Sequence, residues 1–400
     1  MRILIVSQYF WPEEFRVNDL AIDLVKRGNS VTVLTGNPNY PKGKFFKGYG
    51  FKFAIENYQG IKIYRVPIIP RGNSSFTLVL NYLSFALNGS IFSLFHSIKY
   101  DKVFAINFSP ITAVYPAIIF KKRHKTKLYL WVQDLWPESV SAAGNIKSNF
   151  ILNLLTKMVR YIYKNCDRVL VQSEAFISSV EEKGVKKNQL GYIPNWAEDL
   201  YSDSSKISFE TFVNIVPKGF VVMFAGNIGE AQDFDSIIKA AEITKQFPDI
   251  KWVIVGDGRK KAWVETEIVR LGLQETFFLL GRHPMDEIPS FFVHANVMLL
   301  SLKEEEIFSL TIPSKVQSYM AFGKPIIGML NGVGSDIISK SNCGYVGMAG
   351  DHIMLANNVI KAYNQEPVVL LNMGMKGKKY YDSNFSKTIV IDRLMGILEE

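Results

Sequence analysis

The sequence predicts an α/β fold of two doubly wound domains, on three observations. Its 400 residues exceed what one hydrophobic core usually organises. Short unbroken apolar runs, the mark of strands buried on both faces of a parallel sheet, alternate with segments of helical spacing. The alternation breaks once, at the polar, proline-containing IPNWAEDLYSDSSK (193–206), and then restarts.

The elements follow in order. ILIVS (3–7) reads as a buried strand. VNDLAIDLVKRG reads as a helix with Val17, Leu20, Ala21, Leu24 and Val25 on one face and Gly28 as its stop, and SVTVLTG as the second strand. KIYRVPII, a long uncharged helix, DKVFAINF, a helix from Ile111, KLYLWVQD, a helix over 149–164, RVLVQS and a helix from Glu174 complete the first half. The second half runs FVVMFAGN, FDSIIKAAEITKQ, IKWVIVGDG, a helix over 260–271, TFFLLG, MDEIPSFFVHA, VMLLSL, PSKVQSYMAFG and KPIIGML. Ligands of such sheets bind beyond the carboxyl ends of the strands, so two such domains are expected to place their chemistry in a cleft between them.

Charge divides the chain unevenly. Residues 1–200 hold 26 Lys+Arg against 14 Asp+Glu, whereas residues 201–400 hold 20 against 23. A basic half attracts polyanions or anionic lipid headgroups. No recognisable nucleic-acid module interleaves those basic residues with exposed aromatics, which argues against a nucleic-acid protein. Cys166 and Cys343 are far apart in sequence and the five histidines are scattered, so neither a disulfide framework nor a metal cluster is expected. The first residues, MRILIVS, lead directly into WPEEFR without a secretory layout, which predicts a cytoplasmic protein. The stretch from Ser74 to His96 holds no Asp, Glu, Lys or Arg, but Asn81, Ser84, Asn88, Gly89, Ser90 and Ser93 punctuate it. That polarity is expensive in hydrocarbon, so the stretch is expected to be buried core helix, an in-plane segment at a membrane surface, or part of each. KKRHKTK (121–127) lies close by in sequence to attract headgroups.

The chemistry gathers at strand ends. FAGNIG (224–229) and WVIVGDGRKK (252–261) are two consecutive glycine turns between strand and helix, and Gly226, Gly229, Gly256 and Gly258 would let a phosphate approach the backbone. In LTIPSKVQSYMAFGKPIIG (310–328), Thr311, Pro313, Ser314 and Lys315 open a helix, so amides, a hydroxyl and an ammonium converge on a place suited to a diphosphate. The alternative is a surface lysine beside a helix cap. The run KEEE (303–306) reads as a solvated loop.

With these residues in view, the chain resembles the family 4 glycosyltransferases of the GT-B fold, two Rossmann-like domains facing a central cleft. The resemblance runs over essentially the whole length. SQYFWPEEFRVNDLA, VTVLTGNPNYPKG, WVQDLWPES and IPSKVQSYMAFGKPI are similar to the subgroup that transfers N-acetyl-L-fucosamine in bacterial O-antigen and capsule synthesis. The resemblance implies a retaining, metal-independent transfer, with a nucleotide sugar as substrate rather than cofactor. It also implies a polyprenyl-diphosphate-linked saccharide as acceptor and a peripheral place on the inner face of the cytoplasmic membrane. It implies an acceptor domain over 1–198, a donor domain over 199–379, and a final helix over 380–400, YYDSNFSKTIVIDRLMGIL, that returns to the first domain.

The chain departs from that family at its donor site. Two glutamates usual in the family fall on Leu310 and Ser318, and the usual Arg and Lys of the first glycine turn fall on Asn227 and Gln232. A departing diphosphate still needs cations, so Lys315, Arg259 and Arg282 are the expected substitutes. Asn227, Gly229, Gly256, Gly258, Arg259, Arg282, Thr311, Pro313, Ser314 and Lys315 form the expected donor site. In the first half, Asp134 follows the strand KLYLWV and is expected either to orient a reacting hydroxyl or to cap the next helix; Glu138 is the second candidate. Phe10, Glu13, Arg16 and Ser109 follow the first and fourth of the strands read above and are expected to meet the acceptor. A nucleotide-sugar 2-epimerase would share the two-domain fold but needs no lipid-facing surface. A nucleotide-sugar-binding regulator would account for the lost glutamates.

Overall fold

In the computed structural model, residues 1–144, 148–201 and 210–400 are described, so 202–206 of the expected break lie outside the described residues. The chain forms two units, Met1–Ile193 with Ile391–Glu400, and Pro194–Val390. The first boundary thus falls at 193/194 and not at 198/199. The C-terminal return begins at residue 391, not 380, because the expected single helix is two. Pro367–Asn384 ends where Phe385, 2% exposed, inserts into the core of the second unit, and Lys387–Glu399 starts afresh.

The first unit is built on β1 (Arg2–Val6), β2 (Ser30–Gly36), β3 (Ala54–Tyr58), β4 (Ile61–Val66), β5 (Lys102–Asn107), β6 (Lys127–Val132), β7 (Arg168–Val171) and β8 (Leu190–Tyr192). Their spatial order is β3-β4-β2-β1-β5-β6-β7-β8, parallel except for the antiparallel β3–β4 pair. The second unit holds β9 (Phe220–Ala225), β10 (Ile250–Val255), β11 (Phe277–Gly281), β12 (Val297–Ser301), β13 (Ile326–Met329) and β14 (Gly344–Gly347), parallel throughout in the order β11-β10-β9-β12-β13-β14. The apolar runs read from sequence occupy the interior strands, where residues such as Ile5, Val33, Phe104, Val222 and Ile254 are wholly buried. In each sheet the winding reverses once, between β1 and β5 and between β9 and β12. Ligands of doubly wound sheets gather at the carboxyl ends beside that reversal.

The uncharged stretch is one helix, Ser75–Phe95, capped by the Ser74 hydroxyl accepting from the Thr77 N–H. It turns its polar side inward. Asn81 is fully buried; its side-chain nitrogen donates to the Ile69 carbonyl at 2.6 Å and its oxygen accepts from Gln8 at 2.7 Å. Ser84 accepts from the Ile69 N–H, and Asn88 donates to the Pro67 carbonyl. Gly89 lets the helix Tyr115–His124 approach, since a Cβ there would stand 2.6 Å from Pro116. Val79, Leu83, Leu87, Ile91 and Leu94 lie at intervals of three and four along the opposite face, each about half exposed. In place of separate packed and lipid-facing stretches, the structure has one helix with a packed face and an exposed apolar face. By length and composition the helix would also cross a membrane, but its inner face is bound to the sheet layer.

Replacing Asn81 with leucine strands the Ile69 carbonyl and the Gln8 amide in the core. Unfolding free energy is expected to fall by about 1–3 kcal/mol, read from urea denaturation.

Candidate active site

In the second unit, β9 is followed by Gly226, held at φ = +146°, a conformation glycine adopts readily. A Cβ on Gly226 would stand 2.6 Å from Lys315 Cε and 2.7 Å from its Nζ, so the missing side chain makes room for the lysine. Lys315 is the second residue of the helix Ser314–Phe322, and the Tyr319 hydroxyl, accepting from the Ala225 N–H, ties that helix to the end of β9. The ammonium lies 4.8 Å from the centroid of the buried Phe224 ring. Lys315 is absent from the ion pairs formed by described residues, whereas Lys260 and Lys303 are paired with Asp235 and Glu230. Burial pulls the Lys315 pKa down to about 8. The arrangement is a largely desolvated cation at a helix N-terminus beside a glycine turn, with its charge uncompensated.

The other expected donor-site residues divide. Asn227 and Gln232 meet across Gly229, their side chains 3.4 Å apart, so the two positions that carry cations in the resembled family are neighbours here and uncharged. Ser318 is buried and its hydroxyl donates to the Ser314 carbonyl, while Leu310 ends a short helix; neither supplies a carboxylate. Gly256 and Gly258 need correction. Their Cβ directions are filled by the backbone of Gly226 at 1.8 Å and of Ile228 at 2.3 Å, so these glycines join the two turns to each other instead of opening them to a ligand. Arg259 and Arg282 stand exposed on the turns after β10 and β11, which are linked by the Gly256 N–H donating to the Gly281 carbonyl. Thr311 donates to the Ile307 carbonyl, Pro313 precedes the helix, and Ser314 is exposed at its first turn.

In the first unit, the carboxyl ends of β1, β2, β5 and β6 collect buried polar atoms without hydrogen-bond partners. They include Gln8 Oε1, Tyr9 Oη, Asn37 Oδ1, Asn107 Oδ1 and Trp136 Nε1. Each such atom is expensive to bury unmet, and their concentration marks a place completed by ligand or water. Asp134 stands at this edge, its carbonyl accepting from Asn107, and burial raises its carboxyl pKa to about 7. The following helix starts only at Glu138, so Asp134 does not cap it. Ser109 holds φ = +147°, rare for an L side chain, and it lies with Asp134 close enough to Tyr82 that both act on the tyrosine's ionisation.

Three expected residues are placed differently from one another. Phe10 is wholly buried in the core and offers nothing to an acceptor. Glu13, 2% exposed, accepts from the N–H groups of Asn39 at 2.8 Å and Tyr40 at 2.7 Å through one oxygen and so fixes the loop after β2, while its other oxygen is buried without a hydrogen-bond partner and burial raises its pKa to about 7. Glu138 pairs with the buried Lys183 at 2.5 Å and accepts from Ser179, which anchors its own helix. Arg16 opens the helix after the first loop and is half-buried. Sequence reasoning missed Tyr9, Arg71 and Tyr82, although all three lie on the segments that follow strands, where such sheets place ligands. Among the described residues no three His, Cys, Asp or Glu side chains form a metal-binding group.

Asp134→Asn is expected to raise the thermal midpoint at pH 8 by a few degrees and to leave it unchanged near pH 3. A folded pKa above the unfolded value means that stability falls as pH rises from the unfolded pKa to about 7, and asparagine removes that penalty. Melting curves at the two pH values check this.

Residues 14–196 match the family described as glycosyl transferase 4-like domain, and residues 207–380 match glycosyl transferases group 1. WcaI of Escherichia coli (strain K12), by its name a candidate colanic acid biosynthesis glycosyl transferase, is 24% identical over 81% of this chain and 82% of its own. WbjE of Pseudomonas aeruginosa, described as a probable glycosyltransferase, is 28% identical over 67% of this chain and 66% of its own. The Anabaena protein HepE, solved in complex with UDP-glucose, superposes with a TM-score of 0.67 at 16% identity, covering 100% of this chain and 99% of that one.

Proposed function

Because its two halves match the glycosyl transferase 4-like and group 1 families, the chain is a GT-B glycosyltransferase of the family 4 type that serves bacterial polysaccharide synthesis, and from that premise we propose its reaction. It moves N-acetyl-L-fucosamine, or a related deoxy-aminosugar, from a UDP-sugar to a polyprenyl-diphosphate-linked saccharide, with retention of configuration and without a metal. HepE, of the same fold, was solved with UDP-glucose, which supports a uridine donor.

The observation that carries the reading is the Lys315 ammonium, laid across Gly226 with no described carboxylate to neutralise it. In the transfer, the bond between the anomeric carbon and the diphosphate oxygen breaks and the diphosphate leaves with the electron pair. The acceptor oxygen bonds to that carbon, and its proton passes to the departing phosphate. Negative charge therefore grows on the diphosphate. A desolvated ammonium fixed beside it stabilises the transition state more than the ground state. Asp134, with a pKa of about 7, suits holding the acceptor hydroxyl near neutrality.

The same reading places the enzyme peripherally on an anionic membrane. The outward apolar stripe of the Ser75–Phe95 helix ends beside His96, whose carbonyl accepts from His124, and the exposed Lys122, Arg123 and Lys125 surround that corner. A soluble 2-epimerase has no use for such a face.

The test is a transfer assay on polyprenyl-diphosphate N-acetylglucosamine with a panel of UDP- and GDP-sugars, scored by the mass of the lipid product. Addition of one deoxy-N-acetylhexosamine is the expected result. A different sugar overturns the donor assignment, and no product with any donor overturns the acceptor.

A further inference from the structure

Arg71 sits on a turn that the fold holds with unusual care. Its N–H donates to Asn39 Oδ1 at 2.8 Å, and the next N–H, of Gly72, donates to the Gly43 carbonyl at 3.0 Å. Gly72 has φ = +59°, and a Cβ there would stand 2.5 Å from the Thr77 hydroxyl. Two residues earlier, Ile69 is bound at both its N–H and its carbonyl by Ser84 and Asn81. A turn fixed at so many points presents its side chain in one place.

That side chain carries a charge the protein leaves open. The guanidinium lies over the Tyr40 ring, 5.4 Å from its centroid. It joins none of the ion pairs of described residues, although Arg65, six positions earlier, is paired with Glu56 at 2.7 Å. Beside it, Tyr9 is 3% exposed, and its hydroxyl faces the Arg71 guanidinium and forms no hydrogen bond to any other described residue. The Tyr9 ring is fixed by stacking on Phe15 at 4.8 Å and by contact with Tyr40 at 5.8 Å, so the hydroxyl cannot turn away to water. Arg71 also acts on Tyr82, which reaches this place from the Ser75–Phe95 helix. Two carboxyls border the group. Glu13 accepts from the Asn39 and Tyr40 N–H groups through one oxygen and keeps the other unpartnered, and Asp134 is near enough to Tyr82 to act on its ionisation.

We propose that Arg71, with the hydroxyls of Tyr9 and Tyr82, is the subsite in the first unit that binds the diphosphate of the lipid-linked acceptor. The planar fork of a guanidinium and adjoining hydroxyl donors match phosphate oxygens. The chain also leads from Arg71 straight into the helix whose apolar stripe faces outward, so a lipid tail leaving the diphosphate has a surface to follow. This inference rests on the acceptor named under the proposed function.

The test is calorimetric titration of the full chain with farnesyl diphosphate and with farnesol, no donor present. Arg71→Gln is expected to weaken farnesyl diphosphate at least about tenfold and Tyr9→Phe by about threefold, while Arg71→Lys, which keeps the charge and loses the fork, falls between wild type and glutamine. Sedimentation with phosphatidylglycerol vesicles is expected to be unchanged in all three. Equal binding of farnesyl diphosphate by wild type and Arg71→Gln overturns the proposal. So does a loss confined to the vesicles, which assigns the cation to a phospholipid headgroup. Because binding is read without donor, failure of every UDP-sugar in the transfer assay would overturn the reaction and leave this result standing.

Discussion

Lys315→Met is expected to lower sugar transfer by about 10²–10³-fold, the usual loss when one preorganised group facing developing charge is removed. The same change is expected to make the ligand-free protein more stable at pH 7. Both effects have one cause, the burial of the ammonium across Gly226. The folded pKa of about 8 lies below the unfolded value of 10.5, so the unfolded chain binds more protons between those limits. The protein therefore carries a penalty in full below about pH 8, which is relieved as pH rises toward 10.5. Methionine fills the space without the charge and removes the penalty. Initial rates on the lipid acceptor and melting curves at pH 7 and pH 10 check the two halves. A melt gain at pH 7 that persists at pH 10, or undiminished transfer, would contradict the account. In the ligand-free enzyme the lysine loses its proton above about pH 8, so the rate at low donor concentration should fall there.

Converting Leu83 and Leu87 together to aspartate should all but abolish sedimentation with anionic vesicles. Both side chains are more than half exposed on the outer face of the helix, so the fold does not depend on their contacts. Each leucine withdrawn from an apolar environment forfeits roughly 1.5–3 kcal/mol, and the new carboxylates repel anionic headgroups besides, so partitioning should drop by more than about 10². The thermal midpoint should barely move. A double variant that still sediments with vesicles shows that the stripe meets something other than lipid. Transfer to a short, soluble acceptor separates loss of membrane contact from loss of chemistry.

What could be read in advance from the residues follows from how each element is buried. Interior strands are covered on both faces, so ILIV, FVVMF and WVIV declare themselves as unbroken apolar runs. The strands that escaped notice, β3, β8 and β14, all lie at sheet edges. β3 alternates partly covered and exposed residues and includes Glu56, and β14 is flanked by glycines. The polar residues of the Ser75–Phe95 helix weighed against lipid when counted, but their partners, the Ile69 and Pro67 backbone and Gln8, are remote in sequence. Asp134 was visible because it stands directly on a strand-to-helix turn, and Lys315 because Pro313 marks the helix start it follows. Arg71 and Tyr9 were not, since an arginine draws notice only when one sees that no carboxylate meets it. Gly256 and Gly258 misled for the converse reason: the sequence shows a missing side chain, not whether another turn or a ligand fills its place.

The closing ten residues belong to the first unit. Ile391, Leu394 and Leu398 are buried there, and Lys127 donates to the Glu400 carbonyl. On the ribosome this matters. Residues 1–193 emerge first, but the segment that completes their core follows some two hundred residues later, about 10–40 s at ordinary elongation rates. Throughout that interval the nascent first unit exposes the apolar surface its last helix will cover, beside an apolar stripe of its own. That surface stays uncovered by its own chain until residues 391–400 emerge. A nonsense mutation that spares all but those ten residues would release the whole second unit intact and leave the first permanently unsealed.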